Sequence, residues 1–212
     1  MDIRHNFTAA FSYDLPKVGR GGVVGALLNN WGIDDRFVAR TGFPVTLGGT
    51  ESLLPNSSQI FFTGLDRVPG QPLYVTQCGS PFATGPAMIP CPGGRGLNPA
   101  AFMDVGFDPN TGFPLQGTAP RNFVRGFGAW QMNFGVRREF PLYESLKLQF
   151  RAEAFNLFNH PNFGSIETNR DLPTFGEATS TLASSLATVG ALSSQYQMGG
   201  PRSMQFALRL VF

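Results

Sequence analysis

Few side chains in this sequence are equipped for chemistry, and their spacing narrows what that chemistry is. Cys78 and Cys91 are the only two cysteines. They sit in a stretch stiffened by Gly79, Pro81, Pro90, Pro92 and Gly93. Such a pair can close a disulfide or remain as free thiols. A metal site would need further ligands nearby, and none stand there. His5 and His160 are isolated, and His160 precedes Pro161, which suits a turn. No Ser–His–Asp grouping or paired carboxylates emerge, so catalysis is not expected and neither a cofactor nor a metal is called for. Asp108-Pro109-Asn110-Thr111-Gly112 reads as a turn and lacks the further spaced acids of a calcium loop. What remains is a set of charges at alternate positions: Arg137, then Arg151 with Glu153, then Arg209. Residues two apart in an extended chain share a side. These charges therefore predict a polar ladder, with Arg36 and Arg40 on the corresponding face of a weaker segment.

The elements that position them are strands. Period-2 alternation runs through five segments, at about 5–15, 31–41, 129–138, 146–156 and 202–212. In the last, Met204, Phe206, Leu208, Leu210 and Phe212 oppose Ser203, Gln205, Ala207, Arg209 and Val211. In the fourth, Leu146, Leu148, Phe150, Ala152 and Ala154 oppose Lys147, Gln149, Arg151, Glu153 and Phe155. The third sets Trp130, Met132, Phe134 and Val136 against Gln131, Asn133, Gly135 and Arg137. Arg137 and Arg209 then share the polar face of neighbouring strands. In the second, Asp35 interrupts an apolar side of Trp31, Ile33, Phe37 and Ala39. The segments are longer than the usual 5–6 residues of a globular strand. They match the ~9–11 residues of a tilted strand crossing a bilayer.

Composition agrees. Charged residues make up 14% of the 212 positions and net charge is only +2, against about 25% charged in a soluble domain. Such sparse charge does not suggest a nucleic-acid partner. Gly 26 and Pro 17 exceed ordinary use, and 21 residues are Phe. No apolar run is long enough for a membrane-spanning helix; the longest, Val23–Leu28, is broken by Gly25. The first residues form no hydrophobic leader. That predicts either a soluble β sandwich or a piece of a longer secreted chain. The links decide between these. Pro16–Asn30 and Phe140–Ser145 are short. The segments at about 42–128 and 157–201 are long, rich in Gly, Pro, Asn, Ser and Thr, and weakly periodic. A compact soluble domain rarely holds such loops, whereas outer-membrane barrels alternate short periplasmic turns with long extracellular loops. With a periplasmic C-terminus, both long loops fall outside and both short links inside. Five strands cannot close a barrel, and a lipid-exposed open edge is not viable. The expected fold is all-β: an antiparallel transmembrane β-barrel fragment of about five long strands with two long extracellular loops, in the cell outer membrane.

Several motifs carry a family resemblance. They are Arg40-Thr41-Gly42-Phe43-Pro44, Leu97-Asn98-Pro99-Ala100-Ala101-Phe102 and Arg121-Asn122-Phe123-Val124-Arg125-Gly126. To these add the run Leu148 to Gly164, with its core Asn156-Leu157-Phe158-Asn159-His160-Pro161-Asn162-Phe163, and the ending Pro201 to Phe212. Together they resemble the C-terminal barrel of TonB-dependent outer-membrane receptors, most closely the Oar-like branch with a carboxypeptidase-regulatory-like N-terminal fold. The resemblance implies a 22-stranded barrel, an N-terminal plug and import of a bulky nutrient energised through TonB. The expected partners are outer-membrane lipid, the N-terminal barrel and plug of a parent chain, TonB through that plug, and the barrel assembly machinery. A structural or surface-adhesion barrel without gated import is the alternative. An oxidising cell surface favours the Cys78–Cys91 disulfide. The polar residues Arg137, Arg151, Glu153 and Arg209 would face the lumen. The alternating apolar residues Met204, Phe206, Leu208, Leu210 and Phe212 would form the C-terminal assembly signal. Tyr13, Trp31, Trp130 and Tyr143, near strand ends, would belong to interfacial girdles.

Overall fold

The computed structural model describes residues 3–17, 19, 22–49, 51–53, 60–78, 89–186 and 199–212. The alternating segments form five strands: β1 (Asn6–Asp14), β2 (Trp31–Arg40), β3 (Ala129–Tyr143), β4 (Leu146–Phe155) and β5 (Ser203–Val211). They make one antiparallel sheet in chain order β1-β2-β3-β4-β5, which does not close on itself. The architecture is all-β, as the alternation predicts.

Register turns the alternation into two faces, because directly paired residues point to the same side of a sheet. One row runs Tyr13, Ile33, Val136, Ala152, Phe206, and the next Phe11, Asp35, Phe134, Ala154, Met204. This face is apolar apart from Asp35 and Arg138. The intervening rows read Asp14, Gly32, Arg137, Arg151, Ala207 and Ser12, Asp34, Gly135, Glu153, Gln205. The apolar face is uncovered: Phe7, Phe11, Met204, Phe206 and Leu208 are all exposed. The strands are also staggered. β3 pairs with β2 through Ala129–Arg138 and with β4 through Phe134–Tyr143, the sliding register that barrel closure requires.

Three details differ from the sequence expectation. The third strand runs on to Tyr143, and the turn shrinks to Glu144 and Ser145, with Glu144 at φ 46°. Pro141 is tolerated because β3 has outrun β2 there. Glu139 N–H donates to Asn30 O, so the donor that Pro141 lacks would point to the same vacant side. Second, the link between β1 and β2 holds a short helix, α1 (Gly22–Leu28). Third, Arg137 and Arg209 are not on adjacent strands, since β4 lies between β3 and β5.

The two long links are not featureless. They fold together into a module at one end of the sheet, with its own core of Leu47, Leu65, Leu97, Ala101, Phe102, Val124, Ile166 and Phe175. Small antiparallel strand pairs frame it: Leu65–Arg67 with Phe102–Asp104, Tyr74–Val75 with Gly96–Leu97, and Pro44–Val45 with Val124–Arg125. Phe102 meets Phe175 edge-to-face at 5.9 Å. Each large buried side chain contributes roughly 1.5–3 kcal/mol, so this core outweighs any one surface contact. Sequence periodicity misses it because two- and three-residue strands show no alternation.

Candidate functional site

The polar face carries the densest charge chemistry, centred on Arg137. Its guanidinium lies flat across β2 and reaches β1: it pairs with Asp34 and with Asp14, and donates to Ser12 Oγ at 3.1 Å. Ser12 Oγ in turn donates to Asp34 at 2.7 Å. The crossing is possible because position 32 is glycine. A Cβ there would stand 2.7 Å from Arg137 Nε and 2.8 Å from its Cζ. The bare backbone of Gly32 is the saddle over which β3 is tied to β1, two strands away.

The other sequence candidates fall on the same face. Arg151 and Glu153 pair with each other at 2.8 Å. Glu139 joins Lys147 at 3.5 Å and accepts from Gln149 at 3.4 Å. Arg209 stands exposed on the edge strand opposite Gln149 and has no ion pair among the described residues. The structure thus joins Arg151 to Glu153, ties Arg137 elsewhere, and leaves Arg209 apart. Sequence reading missed Asp14, Asp34, Ser12 and Gly32. Asp14, Ser12 and Asp34 sit at alternate polar positions, and that signal was present. Gly32 is meaningful only once Arg137 lies over it. The face is amphoteric, with acids and bases neutralising each other and free hydrogen-bonding groups between them. It can hold water or a polar surface.

Where the strands enter the loop module, the Asn-Leu-Phe-Asn-His-Pro-Asn-Phe run forms a corner that buries Asn156 and Asn162. Asn156 and Asn159 take left-handed backbone at φ 51° and 50°, a region open to asparagine more than to most residues. The Asn156 side chain donates to His160 O and Gly200 O and accepts from His160 N. Asn162 accepts from Trp130 N, and Asn159 from Arg202 N. Trp130 stacks on His160 at 4.2 Å. His160 therefore serves the corner. The corner ties the starts of β3 and β5 to the end of β4.

The remaining motifs hold the module together. Asn98 caps the turn Pro99–Ala101, accepting from Ala100 N and donating to Pro72 O. Arg125 donates to Gly42 O, and Gly126 N to Phe43 O. Arg170, from the second long link, pairs with Asp104 and donates to Phe102 O, which locks the two links together. Cys78 and Cys91 are bonded, both buried, with Cα atoms 4.7 Å apart. Gly96 leaves room beside them, since a Cβ there would lie 2.5 Å from Cys78 Sγ. Asp108 closes its turn by accepting from Asn110 N at 2.8 Å. That backbone N–H, with the Thr111 hydroxyl, holds its carboxyl below the usual carboxylate range.

On the apolar side, Met204, Phe206, Leu208, Leu210 and Phe212 line the edge strand, all exposed. Trp130 and Phe140 lie about 33 Å apart along β3 at ~3.3 Å per residue, or about 25 Å of height at a tilt near 40°. A profile described as outer membrane beta barrel domain matches residues 1–205. The chain belongs to this outer membrane beta barrel family. No curated protein and no solved structure gives a significant match. Among the described residues no helix is long and apolar enough to cross a membrane. The barrel domain is an outer-membrane one, and the uncovered apolar face has the height of its hydrocarbon layer.

Proposed function

We propose that this chain is a wall segment of a TonB-dependent receptor that imports a bulky nutrient. The barrel would be completed by further strands, and the polar face would be turned to a plug. The carrying observation is the pairing of an uncovered apolar face with a charged, cross-strand-tied face on one open sheet. The apolar face suits lipid. The amphoteric face around Arg137, Arg151 and Glu153 suits a hydrated lumen whose contents are themselves polar and charged. Strand parity supports a larger wall. β1 and β5 run in the same direction, so head-to-tail copies of this sheet would meet in parallel. An antiparallel barrel closes only with an odd number of added strands, supplied in this reading by the N-terminal barrel of a parent chain. The loop module then lies outside the cell and the C-terminus in the periplasm. Phe212 and the alternating residues before it would be read by the assembly machinery through strand addition.

The test is a Glu153→Cys variant probed in cells with a membrane-impermeant thiol reagent. Gated import predicts reactivity that changes when TonB is removed or the inner membrane is de-energised. Reactivity indifferent to TonB would favour a structural or adhesion barrel without gated import.

A further inference from the structure

Helix α1 is short, uncharged and apolar, yet little covers it. Val23, Val24, Leu27 and Leu28 are 75%, 45%, 58% and 51% exposed, and among the described residues of the helix only Gly25 is buried. Four large apolar side chains open to water on so short a helix are unfavourable at roughly 25 cal/mol per Å². A surface of that kind marks an interaction site. Its position says with what. The indole N–H of Trp31 donates to Leu27 O at 2.9 Å. Trp31 belongs to the apolar face, in the row with Arg138, Phe150 and Leu208. Arg138 lies over the rings of Trp31 at 5.0 Å and Phe140 at 4.3 Å. The helix is thus fastened to the lipid side of the sheet, at the short-link end, beside an aromatic and arginine belt. Tryptophan and arginine collect at that depth because each combines an apolar body with a polar end. Lys17 and Arg20 precede the helix in sequence and suit anionic headgroups.

We infer that α1 is an interfacial membrane anchor, lying in the headgroup boundary with Val23, Val24, Leu27 and Leu28 in the lipid. The occupant of this surface is bilayer lipid, because the residue that holds the helix, Trp31, itself stands on the apolar face. The inference rests on the reading of that face as lipid-facing. Embedded in this way, α1 would set the depth of the β1–β2 turn and resist sliding of the two strands along the membrane normal.

The test uses the full chain in outer-membrane vesicles, with one cysteine introduced at a time and labelled with an environment-sensitive fluorophore. Cys78 and Cys91 are bonded and do not compete. Val24→Cys probes the helix and Leu208→Cys the sheet face. An anchor buried ~5–10 Å into the boundary predicts loss of Val24 label emission to lipids brominated high on the acyl chain, and little loss to aqueous iodide. Quenching by iodide alone, or protection from both quenchers, would overturn the inference, the first placing α1 in water and the second under protein. The Leu208 label separates the two readings. If it too escapes the brominated lipids, the lipid-facing assignment fails, and the inference with it. If it is quenched while Val24 is not, α1 alone is misassigned.

Discussion

At the residue scale, two positions show how one side chain is set by its neighbours across the sheet. Gly32 exists for Arg137. Gly32→Val would drive the guanidinium off its saddle and separate it from Asp14 and Asp34. We expect a loss of about 1–2 kcal/mol, between the values for exposed and buried ion pairs, read by urea unfolding in lipid vesicles. Arg137→Gln in the Gly32→Val background should then add little, because both changes remove the same contacts. Asp35 is the opposite case. It stands between Phe11 and Phe134 on the apolar face, and its buried Oδ1 has no hydrogen-bond partner. Asp35→Leu should raise stability by about 1–3 kcal/mol in the same assay. The alternation exposed Asp35 as an interruption before any fold was known. The crossing over Gly32 was illegible, because it joins residues more than a hundred positions apart. Asp108 offers a pH test. Its carboxyl is held below the ordinary range, so its support of the turn is in place above the unfolded value of about 3.9 and fades as pH falls through the lower folded value. An NMR titration should place its midpoint below that of a free carboxylate; a midpoint at or above the free value would refute the turn geometry.

At the element scale, the strands were legible and the connections were not. A strand of period 2 advertises both faces in its own residues. The loop module advertises nothing locally, since its core draws single residues from Leu47 to Phe175 across both long links. The disulfide sits within that module. Cys78→Ser with Cys91→Ser should destabilise the module by about 3 kcal/mol in the chain-entropy account, while the strands keep their pairing. Hydrogen exchange that quickens in residues 60–78 and 89–125 but not in β2 to β4 would show this; uniform quickening would contradict it. Helix α1 was hidden in the same way. Its apolar run was visible, but the Trp31 bond that attaches it to one face was not.

At the scale of the whole molecule, the open sheet is the governing fact. Its outer edges are β1 and β5, and its apolar edge residues end at Phe212, which is 89% exposed. Deleting Phe212 in the full-length protein should lower insertion into the outer membrane with little effect on the strand pairing of inserted molecules. Heat-modifiable electrophoresis of membrane fractions measures both. Unchanged insertion would remove the assembly-signal reading and leave the barrel assignment untouched.

By itself the sequence determined the fold class, the five strands, the two faces and the turn at Asp108, because each follows from local chemistry: alternation, proline, glycine and short polar side chains. Only the tertiary structure decided which charges meet, how two Gly-rich links build one core, and where the apolar helix lies. Those depend on register and long-range closure, which bring Asp14 to Arg137 and Asp104 to Arg170. No local pattern encodes that distance.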